Sequence, residues 1–388
     1  MYVCPNCFGD EELRNFIEGA AAALECDFCG ARSDVPIAAS LDVVADHIAE
    51  YLHLEYTDPA DSGLPFDSGE GGYQGTTYST EELLRDEISL ELPRDRDGRL
   101  LDALVQEIDR TPASVGFWAE EDPFGLPEQE QLRLSWESFA EFVMHQRRFF
   151  FRHTDLPEPE WWETELLTPD KLLQQIGERA IDVGLIAKLS AGTLVYRARH
   201  QPDGAVYDTE EALGPPPAER ARQNRMSPAG IPMFHAAEDI ETAVAEVYRE
   251  PGDYAVGGFV TTRAAWILDL HDVPAVPSYF SETHGWERKA LMFLRAFATD
   301  ISKPITQDGR EHIEYAPTQV LTEYFRTQVR YADARLEGVS FTSSRTGRRN
   351  YTLFLLKDDE MRPEPTGTDR REALLRFEDL SVVRRLDR

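Results

Sequence analysis

Near Ser190 the hydrophobic period of the chain changes, and no single repeating architecture serves both sides of that point. Upstream, apolar residues recur at helical spacing. Val43, Val44, Ile48 and Leu52 follow a Ser40 cap, Leu83, Leu84 and Ile88 follow Thr80, and a third run spans Leu100 to Ile108. A fourth helix is expected from Ser135 to Arg152, with Trp136, Phe139, Phe142, Val143, Phe149 and Phe150. Thr168-Pro-Asp opens a fifth, to about Leu189, with Thr as cap and Pro in the first turn. Asp58 to Tyr78, rich in Gly, Ser, Asp and Pro, reads as a linker, and Thr111 to Pro127 is broken by Pro and Gly. Downstream the period is two: from Gly192 to Arg199, Leu194, Tyr196 and Ala198 share one face of a strand and Val195, Arg197 and Arg199 the other. Tyr254 to Val260 and Ala265 to Leu270 read as strands, Trp286 to Phe297 and Thr318 to Arg330 as helices. Gly338 to Ser344 and Tyr351 to Leu356 read as paired strands around a basic turn, Arg345 to Arg349. The class is α+β in layers, not a βαβ repeat.

The four cysteines all fall in the first thirty residues, as Cys4-Pro-Asn-Cys7 and Cys26-Asp-Phe-Cys29 with eighteen residues between the pairs. Two such knuckles let four thiolates close on one structural Zn²⁺ with no position left for a catalytic water. Two disulfides are the competing reading. The tight CxxC loops and the lack of an export signal favour the metal, and Gly30 suits the turn of such a ribbon.

Charge narrows the choice of partner. The formal net charge of −31 repels phosphate backbones, so nucleic-acid binding would demand a concentrated basic patch. Only Lys171, Lys188, Lys289, Lys303 and Lys357 are lysines, a composition that suits a GC-rich or salt-adapted prokaryote. No window of eighteen apolar residues and no signal-like N-terminus is present, so a soluble, cytoplasmic protein without membrane contact is expected.

The densest chemistry lies in Arg225-Met-Ser-Pro-Ala-Gly-Ile-Pro-Met-Phe-His235 and the segment after it, where His235 and Glu246 stand ten and twenty-one residues past Arg225. From Asp239, a plausible N-cap, Ile240, Ala243, Val244 and Val247 form a helical stripe, and Glu246 lies about 60° from Ala243 around the axis. On residue type alone Glu246 is a solvated helix glutamate and Arg225 an ordinary loop arginine. No GxGxxG or GxxxxGK[ST] occurs, so a nucleotide would be held by other means than those loops.

Leu213-Gly-Pro-Pro-Pro217, then Asn224-Arg-Met-Ser-Pro-Ala-Gly-Ile-Pro-Met-Phe, then Thr-Ala-Val-Ala-Glu246 resemble the RES-domain family from about Gly192 onward. That resemblance implies an ADP-ribosyltransferase-like fold with α/β layers and, for many members, a toxin that destroys NAD⁺. Carried over residue by residue, it makes Arg225 the family arginine, Glu246 the glutamate and Ser343 the serine, with Ser344 one register away. His235 stands where the family has tyrosine. The resemblance also places an arginine of the opening strand in the NAD⁺ cleft, favouring Arg197 over Arg199, with Tyr196 between them. The expected catalytic set is Arg225, His235, Glu246 and Ser343. The expected cofactor-binding set is Tyr196, Arg197, Arg199, Arg225 and Ser344, and Cys4, Cys7, Cys26 and Cys29 are the expected metal ligands.

Trp136-Glu-Ser-Phe and Arg148-Phe-Phe-Phe-Arg-His153 resemble the HEPN-like N-terminal domains attached to some RES proteins. The expected order is a zinc ribbon at 1–37, a helical HEPN-like domain at 38–189 and a RES domain at 190–388. Its expected activity is cleavage of the nicotinamide N-glycosidic bond of NAD⁺ with water, inorganic phosphate or, as in ADP-ribosyltransferases, a protein side chain as acceptor, as a toxin or defence effector. Restraint would come from an Xre-type antitoxin or in cis from the N-terminal domains, and homo-oligomerisation stays open. Two other classes are an NAD or ADP-ribose sensor with a degenerate pocket, and a HEPN ribonuclease using Arg148 and His153. The triple Phe between those two residues reads equally as core packing.

Overall fold

The structure is a computed structural model that describes residues 1–67, 72–110, 116–120, 125–126, 128–149, 166–202, 204–282, 285–303, 309–354 and 374–385. It forms two compact units, Met1–Glu128 with Ala275–Lys289, and Gln129–Pro274 with Ala290–Arg388. The boundaries proposed at 37/38 and 189/190 follow the change of pattern along the chain, whereas the units follow packing.

In the first unit the sulfur-bearing segment and the helices share one core. Helix α1 (Glu11–Gly19) starts at Asp10, whose Oδ1 accepts from the Leu13 N–H at 2.9 Å, and it buries Leu13 and Ile17. Strand Tyr2–Val3 pairs antiparallel with Ala39–Ser40, which leads into α2 (Leu41–Leu52). Leu41, Val44, Ile48 and Leu52 of α2 pack with Leu100, Leu104 and Ile108 of α3 (Arg99–Ile108), and with Cys4, Cys7, Cys26 and Phe280. The expected helix after Thr80 takes a different form. Ser79 is the cap, closing a capping box with Glu82, and after Glu82 the chain widens into a π-turn at Leu83–Glu87. Thr80 is buried instead, accepting from Trp118 Nε1 at 2.9 Å and donating to Asp109 at 2.5 Å.

The second unit is built on an eight-stranded sheet. Its strands are β1 (Ile186–Leu189), β2 (Leu194–Gln201), β3 (Phe234–Ala237), β4 (Gly252–Thr261), β5 (Ala265–Asp269), β6 (Gly338–Thr342), β7 (Arg349–Leu353) and β8 (Leu375–Arg385), in the order β8-β4-β2-β3-β7-β6-β5-β1. Only β5 and β6 run parallel; the other neighbours are antiparallel. The helix that opens at Thr168, α5 (Pro169–Asp182), stops short of the expected Leu189. Gly184 takes φ +77° and reverses the chain, so Ile186–Leu189 joins the sheet as an edge strand. Helix α4 (Glu128–His145) begins earlier than Ser135, and its Leu132, Trp136, Phe139 and Val143 share a core with α5, α8 (Gly285–Ser302) and α9 (Ala316–Thr327).

Side-chain alternation sorts the sheet into two faces. Tyr196, Ala198, Ala237, Tyr254 and Val256 pack under α7 (Ile240–Val247), and Val195, Phe234, Ala236, Ala255, Tyr351 and Leu353, with Leu213 of α6 (Glu210–Leu213), form the core of the opposite face. Gly338 lets β6 close on β7, because a Cβ there would lie 2.7 Å from Leu353 Cδ2 and 2.9 Å from the Thr352 carbonyl oxygen. Strands β2 and β3 touch through a single pair, Ala237 with Tyr196, and then part.

Candidate active site

The turn between β6 and β7 is shaped to aim one hydroxyl. The Ser343 N–H donates to the Arg348 carbonyl at 2.7 Å, and the Gly347 N–H to the Ser343 carbonyl at 2.9 Å, with Gly347 at φ +73°. Ser343 Oγ accepts from the N–H groups of Arg345 (3.2 Å) and Thr346 (3.3 Å). Both approaches being taken, its own proton goes to Glu246 Oε1, 2.6 Å away. Ser343 is buried, and Ser344 lies exposed beside it in the turn.

Glu246 reaches this turn from α7, which starts as the sequence implies: Asp239 Oδ1 accepts from the Thr242 N–H at 2.7 Å. Thr242, Ala243 and Val244 are buried, and Thr242 Oγ1 meets Thr346 Oγ1 at 3.0 Å, fixing the helix to the turn. Asn350 Nδ2 donates a second bond to Glu246 Oε1 at 2.7 Å. Both bonds converge on one carboxylate oxygen of an exposed residue, and among the described residues no bond is made to Oε2. Asn350 Oδ1 is buried without a partner among the described residues. Sequence reading missed Asn350, which sits directly behind the basic turn; its only signal was a polar residue on a strand otherwise facing core.

Arg225 is set by the loop before β3. Asn224 Oδ1 accepts from the N–H groups of Met226 (2.9 Å) and Ser227 (3.0 Å), Gln319 Nε2 donates to the Asn224 carbonyl at 2.7 Å, and Thr318 Oγ1 to the Arg225 carbonyl at 2.6 Å. The Arg225 guanidinium donates through its two Nη atoms to the carbonyls of Ile301 and Lys303 at the end of α8. It thus caps a helix. Burial lowers its pKa, against the raising influence of Tyr315, Glu246, Asp300 and Glu314, so the charge of Glu246 is felt at Arg225.

His235 lies on the Glu246 face of β3, half-buried, with both ring nitrogens engaged by Asn224 Nδ2 (2.8 Å) and Thr352 Oγ1 (3.0 Å). Burial first and the Arg197 charge second push its pKa down to about 3, so the ring is neutral at physiological pH. Arg197 sits where β2 and β3 part. Its Nη1 donates to the His235 carbonyl at 2.9 Å, its guanidinium carbon lies 5.5 Å from the Phe234 ring centroid, and its Nε is buried without a partner among the described residues. Burial and then Arg199 lower its pKa to about 10, which leaves it charged. Arg199 lies over Tyr207 at 5.6 Å, on the sheet face of Val195, whereas Tyr196 faces α7. Ser343, Glu246 and Asn350 therefore meet by direct bonds, Arg225 and His235 join through the loop, and Arg199 and Tyr196 stand apart from each other.

A second network on the opposite face stiffens the same turn. Arg349 Nη1 donates to Asp269 Oδ2 at 2.6 Å and Ser340 Oγ at 3.1 Å, and Nη2 pairs with Asp272. Burial would raise the Asp269 pKa, but the bonds from Arg349 and Ser340 outweigh it and hold the carboxyl below its usual range.

The cysteines of the first unit are free, and their Sγ atoms lie within 4.8 Å of one another, with separations of 3.4 Å (Cys4–Cys29), 3.7 Å (Cys7–Cys26) and 3.9 Å (Cys4–Cys7). A disulfide needs about 2.05 Å, whereas tetrahedral Zn–S bonds of about 2.3 Å imply sulfurs about 3.8 Å apart. The cluster can hold a metal ion. Burial, aided by bonds and charge from Cys29 and Cys26, pushes the Cys4 thiol up to about 12, a penalty on the thiolate that a bound dication would reverse.

Arg148 donates to the carbonyls of Val143 (3.1 Å), Met144 (3.1 Å) and His312 (3.2 Å), closing the end of α4, and His153 lies outside the described residues. No described helix is long and apolar enough to cross a membrane.

Residues 194–374 match the RES domain and residues 20–157 match HEPN/RES N-terminal domain 1. Residues 194–374 are a RES domain. The match spans Arg197, Arg225, His235, Glu246, Ser343 and Asn350, and the family includes toxins that degrade NAD. A chain in the crystal structure of the M. tuberculosis MbcT-MbcA toxin-antitoxin complex is similar at 13% identity and a TM-score of 0.28, over 54% of this chain and 92% of that one. No curated protein matches.

Proposed function

We propose that this RES-domain protein consumes NAD⁺ by cleaving the nicotinamide N-glycosidic bond, and that it acts as a prokaryotic toxin or defence effector. The observation that carries the reading is the Glu246 carboxylate, pinned through one oxygen by Ser343 and Asn350, with the other oxygen unbonded among the described residues. As neutral nicotinamide leaves, positive charge develops on the ribose, and a fixed carboxylate stabilises that charge more in the transition state than in the ground state. Ser343 and Asn350 both donate to its Oε1 and hold the carboxylate in one orientation. Arg225 and Arg197 supply cations for the two phosphates, and a guanidinium suits phosphate oxygens geometrically.

The acceptor of the ADP-ribosyl group is water, inorganic phosphate or a protein side chain. Incubating the protein with NAD⁺, with and without phosphate, and following nicotinamide release tests both parts of the reading. Release that requires phosphate and yields a phosphorylated ADP-ribose indicates phosphorolysis; release without it indicates hydrolysis or transfer to a side chain. Binding without release would instead support the sensor reading. The four-cysteine cluster takes a structural Zn²⁺ in this reading, and restraint of the toxin comes from an Xre-type antitoxin or from the N-terminal part of the same chain.

A further inference from the structure

The Asn224 amide is held in one orientation, with Nδ2 also donating to Ser227 Oγ at 3.2 Å. Its Oδ1 is taken by the N–H groups of Met226 and Ser227, so the group directed at the His235 ring is the Nδ2 amide, a donor. His235 Nε2 must therefore accept, the ring proton must sit on Nδ1, and Nδ1–H donates to Thr352 Oγ1 at 3.0 Å. Thr352 is fully buried on β7, two residues beyond Asn350 and on the same face of the strand. One strand thus carries the donor that fixes Glu246 and the anchor of the Arg225 loop.

We propose that His235 is a positioning residue, a neutral Nδ1–H clamp that ties Asn224 and the adjoining Arg225 to β7, and not a surface that contacts substrate. The ring keeps no polar atom for a ligand, since both nitrogens are bonded within the protein. Through β7 the clamp sets Arg225 relative to Glu246, at the pyrophosphate and at the nicotinamide ribose on the reading above, on which the kinetic part of this inference rests. Arg197, bonded to the His235 carbonyl, adds a positive charge that disfavours the imidazolium. Protonation would also turn Nε2 into a donor facing a donor.

The decisive measurement is nitrogen-15 NMR of the histidine rings in the full-length protein. The clamp predicts a His235 ring with Nε2 unprotonated, Nδ1 protonated and no titration between about pH 5 and 8. Asn224→Asp replaces the donor with a carboxylate, and His235 should then titrate near neutrality. In kinetics, Asn224→Ala and His235→Phe should each raise KM for NAD⁺ about tenfold with a smaller change in kcat, and the double variant should be no worse than either single one. An Nε2–H tautomer, titration of the wild-type ring near its usual range, or fully additive losses would overturn the clamp. The NMR result stands apart from turnover: a protein that releases no nicotinamide yet shows the Nδ1–H ring refutes the proposed reaction and leaves the clamp intact.

Discussion

Ser343 and Asn350 both donate to Oε1 of Glu246, so removing either leaves the carboxylate in place but free to turn. Ser343→Ala and Asn350→Ala should each lower kcat about tenfold with little change in KM, measured as nicotinamide release. Asn350→Asp should do more harm than Asn350→Ala, since it replaces the donor to Glu246 with a like charge that repels it. His235→Tyr, which puts the family residue back, loses the bonds to Asn224 and Thr352 and should lower nicotinamide release. His235 and Asp269 also shape stability. Both have folded pKa values depressed below their unfolded ones, so the unfolded chain binds protons first and stability falls with acidification. For His235 the loss runs from about pH 6.5 down to about 3, and urea midpoints taken across that window should show a smaller slope in His235→Phe. Arg225, Glu246 and Ser343 were legible because their spacing resembles a known pattern. Asn350, Asn224 and Thr352 were not, because a polar residue on a strand names no partner until the neighbouring strand is known.

Among the elements, α8 depends on a residue far from it in sequence. Its last carbonyls, near Ile301 and Lys303, accept from Arg225, a charge-assisted closure of groups that a helix end leaves unpaired. Arg225→Ala should therefore raise KM and also lower stability by about 1–3 kcal/mol, read from denaturant unfolding. Arg225→Lys should restore only part of either, because an ammonium cannot span two carbonyls with a planar fork. The ribbon should carry about one zinc per chain by elemental analysis, and Cys26→Ser should loosen α1 and α2, which share its core, without abolishing catalysis. Local signals located several ends well: Asp239 caps α7, and the Thr168-Pro169 pair opens α5. They failed where two signals competed. Ser79 won the cap over Thr80 because Glu82 stands three residues past it, and Gly184 broke a stripe that periodicity alone carried to Leu189.

For the whole molecule, composition and period yielded the α+β class and the helical first half, but not the strand order. β8 pairs along its length with β4, more than a hundred residues earlier, and its weak alternation gave no hint of that partnership. Packing also alters how regulation in cis can be tested. A cut near Thr168 would strip Leu132, Trp136, Phe139 and Val143 from the core they share with α5, α8 and α9, so such a fragment should melt well below the full chain before any change in toxicity can be read. The measurement that bears most directly on the central claim is NAD⁺ turnover and binding by full-length wild type beside Glu246→Gln, which keeps the size and the hydrogen-bonding positions of the side chain while removing its charge. Turnover should fall about 10²-fold or more with NAD⁺ affinity largely kept; wild-type nicotinamide release from Glu246→Gln would contradict the account.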